Sequence, residues 1–306
     1  MTRVGAIDIG TNSVRLLVAE VDGSGPDAPL RALDRRMRIT RLGEGVDADR
    51  TLLPTAVDRV ATCLAGYRQA IDGLGAERAL AYATSAVRDA ANGEDFLTEL
   101  GSRFDLPTRL LTGDEEALFT FEGVAAGRPI DAPTVVLDLG GGSTEIVLGS
   151  RGEVLFHTSL DIGCVRLTER FIERDPPGSC DVESVVVYVR ALLRERVPED
   201  PLPAHGIGVA GTVTTLATLD LGLPEEDPEL IHGHRLSRAG IAAEARRLSG
   251  TPVAELRQRR GIAPERAAVI AAGALALSEI LGFFELEELE VSEWDILHGV
   301  ALELGR

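Results

Sequence analysis

Hydrophobic and polar positions change period repeatedly along this chain, and each change marks an element. Short runs rich in β-branched residues and leucine at 4–9, 14–21, 79–83, 109–111, 136–139, 146–148, 207–209 and 289–292 read as strands. Between them the apolar period lengthens. Residues 55–71 carry Val57, Val60, Ala61, Leu64, Tyr67 and Ile71 along one helical stripe. Thr84 or Ser85 can cap a helix after 79–83. Thr112-Gly-Asp-Glu115 is a capping-box pattern that opens a helix reaching residue 124. Further helices are expected at 213–219, after a turn at Gly211-Thr212, at the alanine-rich 264–281, and at 295–304. Stretches 22–29, 175–179 and 198–203 follow neither period and read as surface loops. Helix alternating with strand makes the fold class α/β.

The chain also repeats itself. Residues 6–18 contain Asp8-Ile-Gly10-Thr11-Asn12-Ser13 between apolar runs, and residues 136–148 contain Asp138-Leu-Gly140-Gly141-Gly142-Ser143-Thr144-Glu145 in the same setting. An offset of 130 superimposes the Asp, the first Gly and the Ser. Strand, Asp, tight turn, strand is a hairpin signal. A dinucleotide-binding turn would open a helix after its glycines, whereas both copies continue into β-branched and leucine-rich runs. Two such hairpins predict two lobes sharing a cleft. We place the first lobe at residues 1–124 and the second at 125–306, with the terminal helix packing back on the first.

Composition narrows the chemistry. At 306 residues and 44% hydrophobic, the chain can bury two substantial cores. No apolar run approaches a membrane span, and the first residues enter a strand directly, so we expect a protein without signal peptide or membrane anchor. Three cysteines without CxxC spacing argue against a disulfide framework or structural zinc and fit a reducing cytoplasm. A net charge of −18 disfavours nucleic acid as a partner. All 31 basic residues are arginine. Without lysine there is neither a Walker-A phosphate loop nor a Schiff base, but arginine forks still bind phosphate bidentately.

The two turns supply candidate chemistry. Consecutive glycines at 140–142, followed by Ser143 and Thr144, can aim backbone N–H groups at an oxyanion. Taken alone, a triple glycine is equally a flexible turn. In the first copy Gly10, Thr11, Asn12 and Ser13 supply the corresponding groups. Asp138 and Glu145 flank the second turn and Asp8 precedes the first; carboxylates of this kind suit Mg2+, with Mn2+ an alternative. Gly211 and Thr212, at a helix start, can grip a further phosphate.

These segments resemble the exopolyphosphatase/guanosine pentaphosphate phosphatase family. The resemblance rests on Asp8-Ile-Gly-Thr-Asn-Ser13, Ala83-Thr-Ser-Ala-Val-Arg88-Asp, Gly113-Asp-Glu-Glu116-Ala and Asp138-Leu-Gly-Gly-Gly-Ser-Thr-Glu145. Gly163-Cys-Val-Arg166, Ala210-Gly-Thr212 and Ser292-Glu-Trp-Asp-Ile-Leu-His-Gly299 extend it in the same order over the whole chain. It implies two actin-like (ribonuclease H-like) lobes with a cleft between them. It also implies Mg2+-dependent release of terminal phosphate from inorganic polyphosphate or from guanosine pentaphosphate, and leaves room for a homodimer. On this resemblance the general base falls on Glu116, and Arg88 reads phosphate, with Arg166 in a similar role. Spacing alone does not choose between Glu115 and Glu116, since both open a helix whose dipole favours ionised carboxylates. Longer family members carry additional C-terminal helical domains that this sequence lacks, from which we expect contacts to only a few phosphates, a preference for short chains and release between cuts. An actin-like sugar or acetate kinase would need more of an adenosine pocket than Ala210-Gly211-Thr212. A non-catalytic polyphosphate or alarmone sensor would have no use for Glu116, Asp138 and Glu145 together.

Other features carry less. His232-x-His234 reads as two loop histidines and His298 as a surface residue of the last helix. Residues 35–41, with arginines at 35, 36, 38 and 41, suit either a track for a polyanion or an edge strand guarded by charge.

Overall fold

The computed structural model describes residues 1–23, 29–126, 128, 130–151, 153–200 and 202–306. It divides into two compact units, Met1–Pro129 with Trp294–Arg306, and Ile130–Glu293. In the first unit the chain runs β1 (Thr2–Ile9), β2 (Ser13–Val21), β3 (Leu30–Ile39), α1 (Val46–Asp49), α2 (Pro54–Gly73), β4 (Arg78–Ala83), α3 (Ser85–Asp89), α4 (Gly93–Phe104), β5 (Thr108–Leu110) and α5 (Gly113–Ala126). The second unit holds β6 (Thr134–Leu139), β7 (Thr144–Ser150), β8 (Glu153–Leu160), α6 (Cys164–Phe171), α7 (Ser179–Arg196), β9 (His205–Val209) and α8 (Ala210–Asp220). It continues with α9 (Pro228–Ile231), β10 (Arg235–Ser237), α10 (Arg238–Ser249), α11 (Val253–Leu256), α12 (Ile270–Phe283) and β11 (Glu288–Val291). The terminal α13 (Ile296–Gly305) belongs to the first unit.

The repeat is topological as well as sequential. Among the described residues the first sheet has the order β3-β2-β1-β4-β5 and the second β10-β11-β9-β6-β7-β8. Each begins as an antiparallel meander, β1-β2-β3 or β6-β7-β8, and then adds a parallel partner beside its first strand, β4 or β9.

Strand parity decides which side chains meet, because successive residues point to opposite faces. In the first unit Ile7, Ile9, Val14, Leu16 and Val18 join a core with residues of α2 and α4. The intervening Val4, Ala6, Leu17, Ala19 and Val21 join a second core with Ile296, Leu297, Val300 and Ala301 of α13. Asp8 and Arg15 share the parity of this second set, so both stand on the α13 face. In the second unit Val135, Leu137, Leu139, Ile146 and Leu148 enter one large core. Asp138 and Glu145 therefore stand on the opposite face.

Several expectations need correction. Gly211 and Thr212 form the first turn of α8, not a turn before it; the chain bends at Ala210, whose φ of 71° is left-handed. α12 begins at Ile270 and not at 264, because successive turns at Ala263 and Arg266 precede it. Neither Thr84 nor Ser85 caps α3 through its side chain; the Ser85 hydroxyl lies 2.9 Å from that of Thr11 instead. His298 is buried, since the α13 cap turns it inward. β3 is an edge strand bearing Arg31, Arg35, Arg36 and Arg38. The expected loop at 22–29 lies largely outside the described residues, as does residue 201 of the loop at 198–203. No helix of the described residues is long and apolar enough to cross a membrane.

Candidate active site

Both hairpins close in the same way. Gly10 N–H donates to Ser13 O at 3.0 Å, and Gly140 N–H to Ser143 O at 3.0 Å. That closure sets the strand register: Ile9 faces Val14 and Asp8 faces Arg15 in one unit, Leu139 faces Thr144 and Asp138 faces Glu145 in the other.

In the first unit the Arg15 guanidinium donates from Nε (2.9 Å) and Nη2 (2.6 Å) to the same oxygen, Asp8 Oδ2. Asp8 Oδ1 is buried without a hydrogen-bond partner. Burial pushes the Asp8 carboxyl upward, Arg15 acts in the opposite direction, and the nearby Asp295 adds to the rise. The turn itself is pinned from its carbonyl side, where Thr11 O accepts from Gly43 and Asn12 O from Thr40 and Arg41. Through Thr11 and Ser85 it joins α3, which carries Arg88. Arg88 Nη1 donates to Glu116 Oε2 at 2.7 Å and to Leu111 O at 2.8 Å.

The adjacent glutamates of α5 have different surroundings. Glu115 completes a capping box: its Oε2 accepts from Thr112 N–H at 2.9 Å, Thr112 Oγ1 accepts from Glu115 N–H at 3.2 Å, and Arg109 pairs with Oε1. The backbone bond from Thr112, helped by Arg109, holds the Glu115 carboxyl below its usual range. Glu116, one residue on, turns inward and is buried beside Arg88.

In the second unit α6 organises the glycine turn. Cys164 N–H donates to Gly140 O (3.0 Å), Val165 N–H to Gly141 O (2.9 Å), and the buried Arg166 donates from Nε to Gly142 O (2.7 Å). Gly163 packs against the 141–142 peptides so closely that a Cβ there would collide with them. With the carbonyls held on that side, the amides of Gly141 and Gly142 donate to no backbone carbonyl among the described residues. This is the arrangement a backbone anion nest requires. Asp138 and Glu145 are buried cross-strand neighbours on one face, and Glu145 Oε1 accepts from Ser159 Oγ at 2.7 Å. Two buried carboxylates at cross-strand spacing repel unless positive charge or a proton joins them. Burial keeps the Cys164 side chain a thiol, pushed up to about 11, so it offers no thiolate nucleophile beside the turn.

At the β9–α8 junction Thr212 is buried beside Cys164. Arg266 donates to Gly211 O (3.1 Å), Thr215 Oγ1 (3.0 Å) and Glu226 Oε2 (3.0 Å). Each unit thus assembles its own sequence-predicted residues: Asp8, Gly10 to Ser13, Arg88 and Glu116 in the first, Asp138 to Glu145, Gly211 and Thr212 in the second. The sequence reading missed Arg15, Ser85, Ser159, Arg266 and Asp295. Hairpin register was the available signal for Arg15, seven positions after Asp8 across a four-residue turn; no signal of that kind exists for the others.

Phosphatase is the class to which similarity with known proteins assigns this α/β chain. The model of the Ppx/GppA phosphatase family matches residues 17–305. Exopolyphosphatase 2 of Mycobacterium tuberculosis is 41% identical over 323 residues, covering 100% of this chain and 99% of that protein. A crystal structure of the Aquifex aeolicus Ppx/GppA family member matches with a TM-score of 0.83 at 33% identity, over 99% of this chain and 97% of that one. A crystallised exopolyphosphatase-like protein reaches a TM-score of 0.94 at 32% identity, over 100% of this chain and 98% of its own. The chain belongs to the Ppx/GppA phosphatase family, has its actin-like α/β fold, and is a phosphoanhydride hydrolase.

Proposed function

We propose that the protein is an exopolyphosphatase, releasing terminal orthophosphate from inorganic polyphosphate with Mg2+ as cofactor. The observation that carries this reading is the buried Glu116 carboxylate paired with the half-buried Arg88, in a chain 41% identical over its whole length to a protein named Exopolyphosphatase 2. Glu116 takes a proton from the attacking water. A bond forms between that oxygen and the terminal phosphorus, the bond from phosphorus to the bridging oxygen breaks, and its electron pair leaves on the shortened chain. Arg88 orients the Glu116 carboxylate through Nη1, and its guanidinium reads a phosphate oxygen. In the second unit the amides at Gly141 to Ser143 receive phosphate oxygens and the α8 start at Gly211 and Thr212 another; in the first unit the polar turn at Gly10 to Ser13 offers groups of the same kind.

The donor set fits a hard divalent cation. In the second unit Asp138 and Glu145 are adjacent buried carboxylates; in the first unit, taken by itself, Asp8 offers an unsatisfied buried oxygen. Mg2+ keeps several waters and binds through one or two carboxylates plus substrate phosphates, a role the Asp138–Glu145 pair can fill. Bound there, Mg2+ would offset charge developing on the phosphate oxygens. Short chains are expected to suffice, because these turns offer oxygen-binding groups for only a few phosphates and further length adds little binding.

Phosphate release measured on polyphosphates of defined length, guanosine pentaphosphate and ATP, with Mg2+ and with chelator, tests the reading. Mg2+-dependent release should be fastest from polyphosphate. Faster release from guanosine pentaphosphate would make the protein a guanosine pentaphosphate 5′-phosphohydrolase; binding without release would make it a sensor.

A further inference from the structure

We infer that Asp295 is a positioning residue for Asp8: by anchoring the far end of Arg15, it determines which Asp8 oxygen is tied down and which remains available. The inference rests on Asp8 serving the metal or its water, as proposed above.

Strand parity places Asp8 and Arg15 on the face covered by α13, and Asp295 is the residue that starts α13. Arg15 Nη1 donates to Asp295 Oδ2, while Nε and Nη2 both go to Asp8 Oδ2. A planar guanidinium held at two separate edges has little freedom to turn.

Asp295 is itself fixed on every side. Its Oδ1 accepts from Leu297 N–H at 3.0 Å and its own N–H donates to His298 Nδ1 at 3.2 Å. The His298 ring stacks on Trp294 with centroids 4.8 Å apart. The Asp295 carbonyl lies against Gly123 of α5, where a Cβ would collide with it. Arg35 approaches Oδ2 to 3.9 Å. Burial would push the Asp295 carboxyl upward, but Arg15, aided by Arg35, holds it well below the usual carboxylate range.

The consequence falls on Asp8. An arginine facing a lone carboxylate prefers to engage both oxygens with its fork. Here Arg15 is drawn toward Asp295 and concentrates on Oδ2, so Oδ1 stays without a hydrogen bond next to the Gly10 turn. Without the Asp295 charge, Arg15 can rotate onto both oxygens of Asp8 and compete with a cation for Oδ1.

Asp295→Asn and Asp295→Ser test this, because Asn and Ser are both good helix N-caps and preserve the start of α13. Mn2+ binding to the full chain without substrate, followed by the electron paramagnetic resonance of free Mn2+, gives a readout independent of activity. Circular dichroism confirms the fold, and Asp295→Asn, which keeps volume and cap, carries the comparison if Asp295→Ser is unstable. Both variants should weaken Mn2+ binding about 10-fold, as loss of an outer-shell partner does. Asp8→Asn should also weaken it, and Asp8→Asn with Asp295→Asn should bind no worse than Asp8→Asn alone, because both act on one oxygen. Unchanged binding in the folded Asp295 variants, or additive losses in the double variant, overturns the inference while leaving Asp8 as a ligand. Unchanged binding in Asp8→Asn removes Asp8 from the metal reading, and the inference with it.

Discussion

Glu116→Gln keeps the size and shape of the side chain, and its amide oxygen can still accept from Arg88 Nη1, now 2.7 Å from Glu116 Oε2. Arg88 is also anchored on Leu111 O, so its orientation does not depend on the glutamate charge. What disappears is the capacity to take a proton. Positioned general bases contribute about 10²–10⁴-fold, which at about 1.4 kcal/mol per decade raises the barrier by about 3–5 kcal/mol. If Glu116 is the proposed general base, the loss should appear in kcat, with KM changed no more than about threefold, because a general base acts on the transition state and not on ground-state binding.

The neighbouring residue supplies the control. Glu115 is spent on Thr112 N–H and Arg109 at the helix start. Glu115→Gln should leave kcat within about twofold and cost about 0.5–1 kcal/mol of stability through the weakened cap. The pH dependence has a definite sign. The folded Glu115 carboxyl lies below its ordinary value, so its contribution is present above the unfolded pKa and is lost as pH falls through the folded one. The two proteins should therefore differ in stability at neutral pH and converge in acid. The assay is initial phosphate release under saturating Mg2+ and varied polyphosphate, beside thermal melts at pH 7 and below pH 4. A larger kcat loss in Glu115→Gln, or a Glu116→Gln enzyme within threefold of wild type, would refute the assignment within the pair.

Glu145→Gln should raise the thermal midpoint in chelator, by relieving repulsion across from Asp138 while keeping the Ser159 bond, and should shrink the added stabilisation by Mg2+; a lower midpoint in chelator would show that the two carboxylates are not opposed. Gly299→Ala drives a Cβ into the Phe119 carbonyl of α5, and since backbone there yields little, it should cost about 1–3 kcal/mol; an unchanged melting curve would mean that α13 docks elsewhere.

What the sequence disclosed was local. The hairpins, the α5 capping box and the α13 helix signal all depend on residues within a few positions of one another, where period and turn chemistry are decisive. The choice between Glu115 and Glu116 was not available there, because a helix start makes adjacent carboxylates look alike. It takes the Thr112 cap to occupy one and Arg88, 28 residues earlier in the chain, to meet the other. Arg266 and Asp295 escaped for the same reason: their partners Gly211 and Arg15 lie 55 and 280 positions away. The helix expected to begin at 264 shows propensity overridden by a tertiary demand, since alanine-rich residues there form turns that deliver Arg266 to the α8 start.

The repeat itself separates what a hairpin needs from what a reaction needs. Both copies keep an Asp at the strand end, a glycine whose N–H closes on the serine carbonyl, and carbonyls pinned by a following segment. They differ at the residue facing the Asp: Arg15 in one unit, Glu145 in the other. Opposite Asp8 the arginine neutralises a buried charge and extends a tie to Asp295. Opposite Asp138 stands Glu145, a second buried carboxyl, where the Asp8–Arg15 pair shows that the same register accommodates an ion pair. Residues that work against stability at a conserved geometry are where function is to be sought. On that argument the Asp138–Glu145 pair, more than the glycine run beside it, is where the proposed cation of the second unit is to be tested.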